Sequence, residues 1–202
     1  MRQLGLAPAA IERVRADLAV VPLFEGERPL RAAAGRVDWR LCGRLSHLFA
    51  AGRLSGAVGE AVLIPGGGGI FAPRVLGLGA GKREQIDAVG WSGWVGDALE
   101  RARSLAAERV VLALPELEIA LAERLALLAK CVARIELPGA VEIAPEPGEA
   151  PGAVDWLRGA ARRARPEGLE IRAPVDPLAP QGADGDSARA RSSQESASRS
   201  TR

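Results

Sequence analysis

Asp17-Leu18-Ala19-Val20-Val21-Pro22-Leu23-Phe24 decides the fold. Seven apolar residues without polar alternation, followed by the loop Glu25-Gly26-Glu27-Arg28-Pro29, read as a strand buried on both faces. Downstream, Val37, Leu41, Leu45, Leu48 and Phe49 fall at 3.6-residue spacing and predict one helix ending near Gly52. Glu60-Ala61-Val62-Leu63-Ile64 predicts a strand running into Pro65 and four glycines, and Arg74-Val75-Leu76-Gly77-Leu78-Gly79 predicts another. Trp91, Val95, Ala98, Ala102 and Leu105 mark a helix over about 84–106. Arg109-Val110-Val111-Leu112-Ala113-Leu114-Pro115 is a fourth strand, and Leu117, Leu121, Leu125, Leu128 and Val132 mark the helix after it. Val141-Glu142-Ile143-Ala144 is a short last strand; Val154, Leu157 and Ala161 suggest one last short helix. Apolar strands interleaved with helices predict an α/β fold of three layers: a mixed, mostly parallel sheet flanked by helices.

Composition bounds the rest. The 202 residues carry 27 basic and 25 acidic groups, a net of +2 that is too small to imply a polyanionic partner. Lys82 and Lys130 are the only lysines, so the arginine excess reads as coding bias rather than a nucleic-acid footprint. No run approaches the roughly 20 apolar residues of a membrane helix, and none near the N-terminus resembles a signal peptide. A cytoplasmic protein without a membrane partner is the expectation. One domain is expected over 1–165, then an extended Pro-containing segment over 166–181. Residues 182–202 hold six serines and no large apolar residue, so a disordered tail is expected.

The candidate sites each have a plain alternative. Gly66, Gly67, Gly68 and Gly69 follow a strand, as a phosphate-cradling loop would, but no Lys-Ser or Lys-Thr follows, and a flexible hairpin turn between two strands is the favoured reading. Gly77-Leu78-Gly79-Ala80-Gly81-Lys82 leads from a strand into a helix. Gly79, Gly81 and Lys82 there could hold a phosphate or carboxylate, or simply make a tight turn. His47 has no acid within reach to orient it and reads as a partly exposed structural residue. Cys42 and Cys131 read as small apolar residues inside helices, and no metal set or disulfide framework emerges. Trp39, Trp91, Trp94 and Trp156 read as core or interface anchors. Glu116 and Glu118 open a helix, where carboxylates suit the dipole.

The order of these segments resembles the N-terminal domain of the leucyl aminopeptidase family. The resemblance runs from Ala16-Asp17-Leu18-Ala19-Val20-Val21-Pro22-Leu23-Phe24-Glu25-Gly26 through the helix after Val37. It continues in Ser55-Gly56-Ala57-Val58-Gly59-Glu60-Ala61-Val62-Leu63 and ends at Arg74-Val75-Leu76-Gly77-Leu78-Gly79, covering about residues 14–145. It implies a macro-domain-like fold. In that family the metals and the catalytic lysine and arginine lie in a separate C-terminal domain, whose hallmark Asn-Thr-Asp-Ala-Glu-Gly-Arg does not occur in these residues. The resemblance therefore implies a stand-alone, non-catalytic binding or assembly module with no cofactor. A protein partner or self-association is expected first, with the role of regulatory subunit for a separately encoded aminopeptidase beside it.

ADP-ribose-binding macro domains suggest a second function, nucleotide binding through Asp17 and the glycine loops. Against their Asp-x-Ile-Val-Asn-Ala-Ala-Asn pattern, Asp17 falls at the aspartate. Val21 and Phe24 stand where the two asparagines would be, which argues against hydrolysis of ADP-ribose adducts. The resemblance also implies a domain that in some full-length relatives helps contact DNA or shapes the oligomer. Nucleic-acid binding through arginine is the third reading, ranked below the others because the net charge is only +2.

Overall fold

A computed structural model describes residues 2–7, 9–115, 121–135, 139–146, 159 and 169–172. The pair Glu116 and Glu118, Trp156, the helix expected over 154–161 and the 182–202 tail lie outside them.

The described strands are β1 (Arg2–Leu6), β2 (Leu18–Phe24), β3 (Ala61–Pro65), β4 (Arg74–Gly81), β5 (Arg109–Ala113), β6 (Ala140–Ala144) and β7 (Leu169–Arg172). They form one sheet in the order β3-β4-β2-β5-β6-β1-β7. Only β3 runs antiparallel to its neighbour; the other pairings are parallel. The mixed, mostly parallel sheet expected from the apolar runs is present. Two strands were not legible: β1 is a short segment of alternating character, and β7 falls within the stretch expected to be merely extended.

The helices described in full are α1 (Ala32–Arg40), α2 (Arg44–Ala50), α3 (Ala88–Ser104) and α4 (Leu121–Arg134). Every residue of β2 is buried, and the pleat divides its side chains between two cores. Leu18, Val20 and Phe24 pack with Trp91, Trp94, Leu99, Leu125 and Leu128 of α3 and α4. Ala19, Val21 and Leu23 pack with Ala33, Val37, Leu45 and Phe49 of α1 and α2. Three layers result.

The single helix expected through Gly52 is two helices. Its apolar spacing is real, but Cys42 and Gly43 adopt left-handed backbone, with φ of 55° and 77°, which breaks the ladder after Arg40. The buried Asp38 carboxylate caps the second piece, accepting from the Leu45 N–H at 2.7 Å and the Ser46 N–H at 3.1 Å. Cys42 is consequently exposed in the turn rather than packed in a helix. His47 is exposed, and Trp91 and Trp94 are buried core residues. Trp39, by contrast, is 75% exposed.

Candidate functional site

After β2 the chain crosses to α1 on one face; after β4 and β5 it crosses to α3 and α4 on the other. Connections that part in this way open a crevice at the carboxyl ends of the strands, the usual ligand position in such sheets. Here the protein's own charged side chains occupy its centre. The Arg83 guanidinium lies 4.0 Å from the Phe24 ring centroid and donates to Glu27 at 2.9 Å. Arg36 on α1 grips Glu146, just beyond β6, in a two-pronged pair at 2.6 and 3.1 Å, and reaches Glu12 at 3.4 Å. Both acids are buried. The hydrogen bonds to Glu146 hold Arg36 more firmly protonated than an ordinary arginine; burial opposes this, and the Glu146 and Glu12 charges reinforce it.

Between these pairs a void of about 10 Å³ remains, lined by Glu27, Ala32, Ala33, Pro115 and Glu146. That is room for about one water molecule. The second carboxylate oxygen of Glu27 is buried with no hydrogen-bond partner among the described residues. Continuous with the crevice at the carboxyl ends of β2 and β4, a wider cleft of about 570 Å³ is lined by Phe24, Glu27, Arg28, Arg31, Lys82 and Arg83.

The eight residues singled out in the sequence lie at opposite ends of the sheet. Gly79, Gly81 and Lys82 close β4 at the crevice end. The Gly79 N–H donates to the Glu60 carbonyl and the Gly81 N–H to the Gly56 carbonyl, so both glycines hold the 55–60 loop. A Cβ at Gly79 would stand 1.9 Å from the Ala57 carbonyl oxygen. The exposed Lys82 faces the wider cleft. Asp17 and Gly66, Gly67, Gly68 and Gly69 lie at the other end. The Asp17 carboxylate accepts from the Glu108 and Arg109 N–H groups at 2.9 and 2.8 Å, fastening the start of β5. The four glycines turn the β3–β4 hairpin, where the Gly66 N–H donates to the Pro73 carbonyl. Asp17 and Lys82 therefore do not meet in one pocket.

The residues at the centre of the crevice escaped sequence reading because their partners are far apart in the chain: 56 residues for Arg83 with Glu27 and 110 for Arg36 with Glu146. An arginine within the small-residue stripe Ala33-Ala34-Gly35-Arg36-Val37 was the available signal. Among the described residues no three His, Cys, Asp or Glu side chains gather as a metal set.

Residues 20–138 match the N-terminal domain of the cytosol aminopeptidase family. The chain belongs to that family. Probable cytosol aminopeptidases of Solibacter usitatus and Streptomyces coelicolor are 30% identical over 112 residues and 35% identical over 128 residues. Those matches cover 55% and 59% of this chain but 21% and 24% of the relatives. The chain thus spans at most about a quarter of the length of these cytosol aminopeptidases, within their N-terminal domain.

Solved structures extend the likeness in fold. A mutant of tomato leucine aminopeptidase superposes with a TM-score of 0.60 at 16% identity, over 82% of this chain and 36% of that one. The macro domain of ganglioside induced differentiation associated protein 2 gives 0.59 at 12% identity, over 81% and 83%. The Oceanobacillus iheyensis macrodomain with ADP gives 0.54 at 9% identity, over 77% and 87%. The macro-domain-like fold implied by the resemblance is present. No helix among the described residues is long and apolar enough to cross a membrane.

Proposed function

We propose that this cytosol aminopeptidase N-terminal domain works as a non-catalytic binding or assembly module. The observation that carries the proposal is the closed centre of the crevice. Between the ends of β2, β5 and β6, where an α/β sheet ordinarily admits a ligand, two arginine–carboxylate pairs leave about 10 Å³. Recognition then falls to surfaces around that centre. The test combines activity with assembly. The pure chain, assayed on a leucyl-anilide with manganese or zinc, is expected to give no metal-dependent turnover above blank. Mixed with the catalytic part of the Streptomyces coelicolor relative, it is expected to co-migrate in sizing experiments or to change that enzyme's rate. Turnover by the chain alone, or neither co-migration nor a rate change, overturns the proposal.

Nucleotide binding is the second function, favoured by the fold shared with a macrodomain solved with ADP and by Arg28, Arg31 and Lys82 around the wider cleft. It predicts heat release on titration with ADP-ribose, reduced in Lys82→Ala. Flat calorimetry at millimolar ligand removes it.

A further inference from the structure

We propose that the outer face of α1 and α2 docks an acidic segment of a partner protein bearing a large apolar side chain. This rests on the binding-module reading and names its surface. Trp39 is the anchor: α1 turns Ala33, Ala34 and Val37 into the core and leaves this indole 75% exposed, while Trp91 and Trp94 are 0% and 6% exposed. Beside it opens a largely apolar groove of about 690 Å³ lined by Pro29, Leu30, Gly35, Asp38, Arg40 and Cys42. An exposed tryptophan over an apolar groove, flanked by arginines, has the composition of an interface centre rather than of ordinary surface.

The charge on this face sets the partner's chemistry. Residues 28–53 hold six arginines and a single acid, Asp38, although the whole chain is only +2. Asp38 is buried and accepts from the start of α2. Arg28 donates to the Phe49 carbonyl, and Arg36 is held by Glu12 and Glu146. On the two helices themselves Arg40 and Arg44 are exposed and neither helix carries an exposed acid, whereas Arg31 belongs to the wider cleft at the crevice. The Arg40 guanidinium stands 5.3 Å from the Trp39 ring centroid, at the lip of the groove. Carboxylates are the complementary groups. A nucleic-acid strand fits less well, because it calls for successive stacking platforms along a charged track, whereas this face has one exposed aromatic ring over an apolar floor.

The probes are two fluorescein-labelled octapeptides, Glu-Glu-Asp-Leu-Phe-Asp-Glu-Glu and its counterpart with lysine at each acidic position, and a labelled single-stranded oligonucleotide. Fluorescence anisotropy of the full chain is expected to show binding of the acidic peptide alone, weakening as salt rises. Trp39→Ala and the double variant Arg40→Glu with Arg44→Glu are each expected to weaken it by about tenfold or more. All three positions are exposed, so these variants should keep the fold, and their melting curves check it. Absent binding, binding unchanged in both variants, or preference for the oligonucleotide overturns the proposal. Dimerisation of the chain that Trp39→Ala abolishes also overturns it, assigning the face to a second copy. If co-migration with the catalytic part survives while the peptide result fails, the module function stands and only this surface is wrong.

Discussion

The Asp17 carboxylate serves two backbone N–H groups at the start of β5, so Asp17→Ala should read as lost stability and not as lost ligand affinity. Two charge-assisted hydrogen bonds at a partly exposed site are worth about 1–2 kcal/mol together. A lower denaturation midpoint with an unchanged ADP-ribose titration is the expected result; a changed titration with an unchanged midpoint would return Asp17 to a ligand role. Glu60 gives a second residue-scale prediction, in pH. Burial would raise its carboxyl, but the Ser55 and Gly56 N–H groups and the Ser55 hydroxyl outweigh this and hold it below the usual value of 4.5. A carboxyl lowered in the fold stabilises it above the ordinary value and loses that contribution as pH falls through the lowered one. Glu60→Gln should therefore melt lower than the parent at neutral pH, and the gap should narrow on acidification. A gap independent of pH would refute the assignment. That Glu60 fastens the 55–60 loop could not be read from Gly59-Glu60-Ala61, because the spacing does not show that the chain turns back on Ser55.

At the scale of elements, apolar pattern located five of the seven described strands, passing over β1 and β7, and missed the break between α1 and α2. The stripe from Val37 to Phe49 keeps its period across the break, so the core-facing side gives no sign of it. The sign lay in Gly43, whose left-handed backbone would cost another residue about 1–2 kcal/mol, and in Asp38, placed to cap α2. Asp38→Ala should cost about 2 kcal/mol, since it strips a buried acceptor from the Leu45 and Ser46 N–H groups. Denaturant unfolding measures it, and a loss near zero would show that the turn holds α2 without the carboxylate. Gly79 is the corresponding device on β4. Its N–H meets the Glu60 carbonyl, and a methyl group there would collide with the Ala57 carbonyl. Gly79→Ala should destabilise by about 1–3 kcal/mol through forced displacement of the 55–60 loop, a loop that hydrogen exchange at Ser55 and Gly56 reports directly.

For the whole molecule, the order of strands across the sheet settles which parts of the chain are indispensable. Helices interleaved with buried strands made the layered α/β class legible. The order β3-β4-β2-β5-β6-β1-β7 was not, because it depends on which ends the crossovers bring together. In that order β6 lies between β5 and β1, and among the described residues β1 is paired with β6 and β7 alone. Ending the chain before Gly139 would delete β6 and β7 and leave β1 without a partner strand. Leu4, Leu6, Val141 and Ile143, all buried against the α3–α4 side, would be removed or stranded, and the exposed core should drive aggregation. Ending it before Gly182 keeps all seven described strands and removes a stretch with six serines and no large apolar side chain to bury. That second truncation should change stability by no more than about 0.5 kcal/mol, the range of changes that touch no packed or hydrogen-bonded group. Melting curves and light scattering of the two products distinguish them. A fall of several degrees in the Gly182 product would mean that the final residues contribute to the fold, and a soluble, cooperatively melting Gly139 product would mean that the sheet holds together without its β6 link.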